Sequence, residues 1–247
     1  MKIELMKNVM VKILSMVLLA GCMVGLLPGA AVRADDNNPL LTAAYTAMSN
    51  MATVSWSPYA DMTITYVNTG RIYKADTTYS GMPYSQTKDT KWATFSAHMV
   101  TNSYKLKSQY GTDCSFATLN AWEIAGKNLH SQMRNTTDIL YHLRNTNFIM
   151  RVGSYPFNSN TSCSGIASSN SQATMTAAYK KLKKGNAMLK DGHIVVVYSV
   201  SSTDVTYIDQ NGRAGATYAA TCSWNTAVTK TFSTLRSEGY LPIYPNP

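Results

Sequence analysis

Asp113-Cys114-Ser115-Phe116-Ala117-Thr118-Leu119-Asn120-Ala121-Trp122-Glu123-Ile124-Ala125-Gly126 is the stretch on which the fold turns. From Phe116 to Ala125 only Thr118, Asn120 and Glu123 interrupt an apolar run, the pattern of a mostly buried helix with a narrow polar stripe. Gly111 and Thr112 read as a turn, Asp113 as the N-cap and Gly126 as the residue just past the helix end. Cys114 therefore falls in the first turn, where the partial positive charge of the helix end stabilises a thiolate. This stretch alone leaves two readings open, an activated thiol or a small buried hydrophobe.

A second stretch bears on that choice. The β-branched run in Asp191-Gly192-His193-Ile194-Val195-Val196-Val197-Tyr198-Ser199-Val200 predicts a strand buried on both faces, with His193 at its start. Ser201 to Asp204 predicts a tight turn, Val205 to Asp209 the antiparallel return, and Thr217 to Thr221 a third strand after a turn at Gln210-Asn211-Gly212. The return brings Asp209 or a near neighbour beside His193, where a carboxylate or amide would fix the imidazole's tautomer and orientation. A lone histidine at a strand start is more often structural. In company with Cys114 and an acid or amide it follows the logic of a thiol hydrolase. His98, His130 and His142 lie in polar helical or loop contexts.

The remaining chain frames these two stretches. Leu40 to Met51 carries weak helical periodicity, Val54 to Trp56 and Met62 to Val67 read as strands, and Trp92 to Val100 reads as a short helix. Tyr79 to Ser85, punctuated by Gly81 and Pro83, predicts a loop of fixed shape. Its Tyr84 either projects into a groove or packs beneath the loop. Asn128 to Ile149 is helical in parts. Ser154 to Gln172, rich in Ser and Asn, reads as a long surface loop, and Met175 to Lys184 as a helix closed by Gly185. Phe232, Leu235, Tyr240, Leu241 and Ile243 close the chain against the core.

The first 34 residues read as a secretion signal, with Lys2, Lys7 and Lys12 ahead of an apolar run and Val32-Arg33-Ala34 as the cleavage site. Leu19-Ala20-Gly21-Cys22 offers the competing lipoprotein reading, although the chain stays apolar after Cys22. The run is short for a membrane span and breaks at Pro28-Gly29, so no stable span is expected after cleavage. Residues 35–55 then form a leader and residues 56–247 one domain, long enough for a sizeable core. Losing Lys2, Lys7, Lys12, Arg33 and Glu4 lowers the formal charge from +9 to +6. That moderate positive charge suits an anionic polymer such as a cell wall, and no nucleic-acid recognition motif is present. Cys163 and Cys222 read as loop or strand-end cysteines able to form a disulfide outside the cell, with Cys114 left free. No cysteine or histidine pair has zinc-ligand spacing, so no metal is expected.

Four short motifs carry a family resemblance. Gly81-Met82-Pro83-Tyr84 resembles the Gly-x-Pro-Tyr of NlpC-type enzymes, and Asp113-Cys114-Ser115 resembles their Asp-Cys-Ser. Gly192-His193-Ile194 resembles their Gly-His-strand, and Asp209-Gln210-Asn211 is similar to the Glu-Gln-Asn of CHAP domains. Phe116 stands where the family usually has Gly after Asp-Cys-Ser, and the segment from Tyr84 to Cys114 is longer than usual. The resemblance, to secreted cell-wall cysteine hydrolases of the NlpC and CHAP type, implies an α+β fold. Its papain-like core packs the cysteine helix on an antiparallel sheet. It further implies Cys114 as nucleophile, His193 as base and Asp209 as orienter, with Gln210 and Asn211 as alternatives for the third place. Tyr84, Asp113, Ser115 and Asn211 would serve the substrate or oxyanion, and no cofactor is implied. The implied activity is cleavage of amide bonds in peptidoglycan or its stem peptides. A catalytically silent wall-binding protein and a transglutaminase-like acyl transferase are the other readings.

Overall fold

The computed structural model describes residues 39–66, 70–126, 129, 131–211 and 222–246. The expected signal segment with Cys22, the residues 35–38, His130 and the strand expected over Thr217–Thr221 lie outside the described residues. The chain divides into units of residues 1–31 and 32–247, and every element below belongs to the second.

The fold is α+β with antiparallel sheets. Helix α1 (Pro39–Thr53) is followed by strands β1 (Ser55–Pro58), β2 (Met62–Thr65), β3 (Gly70–Tyr73) and β4 (Tyr79–Ser80). Next come helix α2 (Trp92–Thr101), strand β5 (Lys105–Leu106), and helices α3 (Cys114–Ile124) and α4 (Thr136–Asn145). Strand β6 (Ile149–Arg151) and helices α5 (Cys163–Ser169) and α6 (Gln172–Tyr179) lead into β7 (Ala187–Lys190), β8 (His193–Val200) and β9 (Asp204–Gln210). Strand β10 (Trp224–Thr231), helix α7 (Phe232–Ser237) and β11 (Leu241–Pro245) close the described chain. The main sheet runs β10-β9-β8-β7-β11-β6, with each neighbouring pair antiparallel. Ile194 to Val197 are fully buried, as a run apolar on both strand faces requires.

Helix α3 forms where its residues predict. Asp113 caps it from an extended backbone and accepts from Phe116 N at 2.8 Å, while Gly126 past the end takes φ +91°. Every residue from Cys114 to Trp122 is buried. All three members of the polar stripe have partners, Glu123 accepting from Lys91 Nζ at 2.7 Å. Thr118 Oγ1 donates to the Cys114 carbonyl at 2.8 Å, and Asn120 Oδ1 accepts from Trp92 N at 2.7 Å. That last bond ties the start of α2 to α3.

Four expectations need correction. Within the expected leader, residues 39–53 are not separate from the domain: α1 buries Leu41, Ala44, Ala47, Met48 and Met51 and packs on α3, β8, β9 and β10. The stretch 154–172 is not wholly loop, because Cys163, Ile166 and Ala167 recur at helical spacing and build the buried face of α5. Its N-terminal N–H groups are capped by Ser162 within the segment and by Asp191 from outside it. Cys163 and Cys222 form no disulfide. Cys163 opens α5 with its thiol against Asp191, whereas Cys222 lies by Tyr73 and Trp56 in a left-handed turn before β10, and burial raises both thiol pKa values. The helix expected over Met175–Lys184 ends early, at Tyr179. Lys183 N there donates to Asn186 Oδ1, at 2.8 Å.

Gly185 is the tightest joint between α1 and the sheet. It has φ +84°, and a Cβ there would lie 1.9 Å from the Leu41 carbonyl oxygen. Its own carbonyl accepts from Trp122 Nε1 of α3 at 3.1 Å. Gly126 has φ +91° with nothing near a Cβ. Gly185→Ala should therefore destabilise by roughly 2–4 kcal/mol in urea melts, against about 1 kcal/mol for Gly126→Ala. Equal losses would show that the α1 contact contributes nothing.

Candidate active site

The open end of α3, the start of β8 and the end of β9 meet at one cleft of about 930 Å³. Cys114, His193 and Asp209 all line it. The β8–β9 pairing of Val196 with Ile208 and Val197 with Tyr207 places His193 and Asp209 on the same face by strand alternation. His193 Nε2 and Asp209 Oδ1 are 2.7 Å apart, with both side chains almost out of solvent. The Cys114 thiol lies beside the imidazole and favours its protonated form. With Nε2 committed to Asp209, Nδ1 is the ring nitrogen left to exchange a proton with sulfur. Burial works against the imidazolium. The bond to Asp209 and the Cys114 thiol, with the charges of both, outweigh it and push the His193 pKa up to about 9. A thiol at a helix N-terminus, beside an imidazole that a carboxylate orients, is set for proton transfer from sulfur to nitrogen and for attack on an electrophilic carbon.

The Gly-Met-Pro-Tyr loop is held against the turn before α3. Thr112 N donates to the Pro83 carbonyl at 3.0 Å and Ser85 N to the Thr112 carbonyl at 2.9 Å, which sets Tyr84 beside Cys114. Gly81, at φ +81°, has no room for a side chain: a Cβ would lie 2.3 Å from Trp224 Cδ1. Tyr84 lines the cleft, and its pKa is raised by burial and by the nearby Cys114. Its hydroxyl accepts from Gln86 Nε2 at 2.9 Å and so keeps its own proton for a ligand. Tyr66 tilts against Tyr84 at 4.8 Å, and the Arg71 guanidinium lies over Tyr66.

The three candidates for the third position separate cleanly. Asp209 holds His193, and Asn211 lines the cleft. Gln210 is fully buried behind them. With its amide oriented to satisfy both ends, it donates to the Asp113 carbonyl at 3.2 Å and accepts from Trp224 Nε1 at 3.2 Å. Asp113 and Ser115 do not line the cleft, contrary to the role expected of them. Asp113 Oδ1 takes the Ser115 hydroxyl at 2.7 Å and Phe116 N at 2.8 Å, so both side chains serve the helix cap. His98 and His142 are engaged elsewhere, with Lys107 N and Tyr110, and with Thr146 and the Gln132 carbonyl.

Sequence reasoning missed Gln86 and the far wall, formed by Lys190, Lys230, Glu238, Tyr207 and Tyr240. For Lys190 the signal was present, since it precedes a two-residue turn and therefore faces His193 across β7 and β8. Glu238 and Tyr240 come from the chain's end, and no spacing announced them. Among the described residues, no group of three His, Cys, Asp or Glu side chains converges as a metal site.

No family model matches the chain, and no characterised protein or solved structure matches it.

Because the folded-state pKa of His193 lies above the ordinary 6.5, its protonation stabilises the fold. That contribution is complete below about pH 6.5 and is lost as pH rises through about 9. Asp209→Asn should lower the His193 midpoint, read by NMR of the imidazole, and flatten the loss of stability across that window. A midpoint as high in the variant as in the wild type would remove Asp209 from the account.

Proposed function

We propose that this chain is a thiol hydrolase with a papain-like core of the NlpC and CHAP kind, cutting amide bonds in peptidoglycan peptides. The observation that carries the reading is the single imidazole of His193, hydrogen-bonded to Asp209 and sharing an open cleft with the Cys114 thiol beside it. The four motifs that carry the family resemblance support it, because all four contribute residues to that cleft or hold its walls. The signal-like first 34 residues and the positive charge of the rest point to a target outside the cell.

In this mechanism the thiol proton passes to His193, and the Cys114 thiolate attacks the amide carbonyl carbon. The carbonyl oxygen takes up the electron pair. The backbone N–H of Cys114 at the start of α3 and the Tyr84 hydroxyl donate to it. Collapse of the tetrahedral intermediate breaks the C–N bond as the leaving amine takes the His193 proton. His193 then accepts a proton from water, whose oxygen attacks the thioester. The carboxyl product departs and the thiol is restored. Asp209 keeps the imidazolium oriented throughout.

Purified peptidoglycan treated with the protein should yield new amino and carboxyl ends by mass spectrometry, at a rate at least about 1000-fold lower for Cys114→Ala. The wild-type thiol should alkylate rapidly near neutral pH, and slowly in His193→Ala. Hydrolysis retained in Cys114→Ala would end the proposal. Slow alkylation of wild-type Cys114 with no release from any wall would instead favour a silent binding protein.

A further inference from the structure

The turn that delivers His193 to the site is not of the kind that closes a hairpin unaided. Lys190 pairs with His193, so β7 and β8 are joined by Asp191 and Gly192 alone. Two-residue loops that follow the right-handed twist of a hairpin take positive φ at their first central residue, and other two-residue turns splay the strands. Here only the second residue does so, Gly192 at φ +74°, while Asp191 keeps a negative φ. The start of β8 therefore needs a hold from outside the hairpin, and His193 is its first residue.

Helix α5 supplies that hold. Asp191 Oδ1 accepts from Cys163 N at 2.8 Å, and Oδ2 accepts from Ser164 N at 3.1 Å and from the Ser164 hydroxyl at 2.7 Å. A carboxylate in this place meets N–H groups with no partner inside the helix, and the positive end of the helix dipole. Burial opposes the charge on Asp191, but the bonds from Ser164 and Cys163 outweigh it and hold the carboxyl below its usual pKa. The helix is in turn fastened to α7 at both ends. Arg236 donates to the Ser168 and Asn170 carbonyls at its C-terminal end, at 3.0 and 2.9 Å. Gly239 lies so close to its start that a Cβ there would stand 2.9 Å from Ser164 Cα. On the β7 side of the turn, Lys190 Nζ lies 3.6 Å from Glu238 at the end of α7. Both strand ends of the hairpin are thus tied to one block of two helices.

We propose that Asp191 is a positioning residue for the Cys114–His193 pair, its carboxylate fixing the turn to the start of α5 so that the imidazole stands beside the thiol. Asp209 orients the ring, and Asp191 places the backbone from which the ring projects. Its part in catalysis rests on the hydrolase reading, whereas the placement itself needs only the thiol and the imidazole.

The test is the rate at which iodoacetamide alkylates Cys114 near neutral pH, followed by peptide mass spectrometry at high salt, which screens the loss of the Asp191 charge. Asp191→Ala should slow the reaction about fivefold, the scale of one lost helix cap, and should lower the His193 midpoint read by NMR of the imidazole. Ser164→Ala keeps the Asp191 charge but removes one bond to it, and should slow alkylation about twofold. Ser162→Ala is the control. Its hydroxyl caps α5 through Gly165 N at 3.1 Å and makes no bond to the turn. That variant should lose a comparable amount of melting temperature, yet alkylate at the wild-type rate with an unmoved His193 midpoint. A wild-type rate in Asp191→Ala, or equal slowing in Ser162→Ala, would overturn the proposal. Should Asp191→Ala fail to fold, Ser164→Ala decides, and a wild-type rate there would overturn it. Alkylation that depends on both Asp191 and His193, with no cleavage of any wall, would keep the positioning role and overturn the hydrolase.

Discussion

Strand β8 holds one residue more than β9 between Val197 and Ser199, where the register shifts. Strand side chains alternate with a period of two, so a slip of one place would turn His193 or Asp209 to the opposite face. The bulge leaves Tyr198 as the extra residue. Its ring is stacked on Tyr45 of α1 at 5.3 Å, with the Lys184 ammonium over both rings. A helix from the start of the described chain thus holds the irregular residue that keeps two distant side chains 2.7 Å apart. Removing Tyr198 would alter the pairing beyond the bulge rather than delete one aromatic contact.

Gln210 serves the same end from inside. Its carboxamide joins the carbonyl of the α3 cap residue Asp113 to the indole of Trp224, while its neighbour Asp209 faces the other way towards His193. Adjacent residues on one strand thereby fix the nucleophile's helix and the imidazole. A buried amide with both ends satisfied has few other arrangements open to it. This explains why Asp209-Gln210-Asn211 reads as three candidates for one position and folds as three separate tasks.

The parts legible in the sequence were those set by local physics. The α3 cap and stop, the β-branched run of β8 and the turn into β9 depend on residues a few places apart, and they formed as predicted. The parts missed depend on distant partners. Helix α5 hides in a Ser- and Asn-rich stretch because its apolar face is only Cys163, Ile166 and Ala167, and because part of its cap comes from Asp191. Helix α1 read as a leader because its periodicity is weak, and small Ala and Met side chains show their fit only against α3. Cys163 and Cys222 looked alike in sequence and are buried in unrelated places. Within the site, Cys114, His193 and Asp209 were legible from order and context. Glu238 and Tyr240 were not, since only the tertiary path of α7 and β11 brings them to the cleft.

The seat of α1 also governs how the chain reaches its native state. Leu41 rests on Gly185, and the helix packs on α3, β8, β9 and β10, so its apolar face is not fully covered until strands far along the sequence are in place. Contacts of such long range form late, because loop closure must precede them. A nascent chain from which β10 had not yet emerged would leave part of that face exposed, in a form that assembles slowly and is prone to aggregate. The helix that reads as the least essential piece of sequence is thus the last part of the core to be sealed.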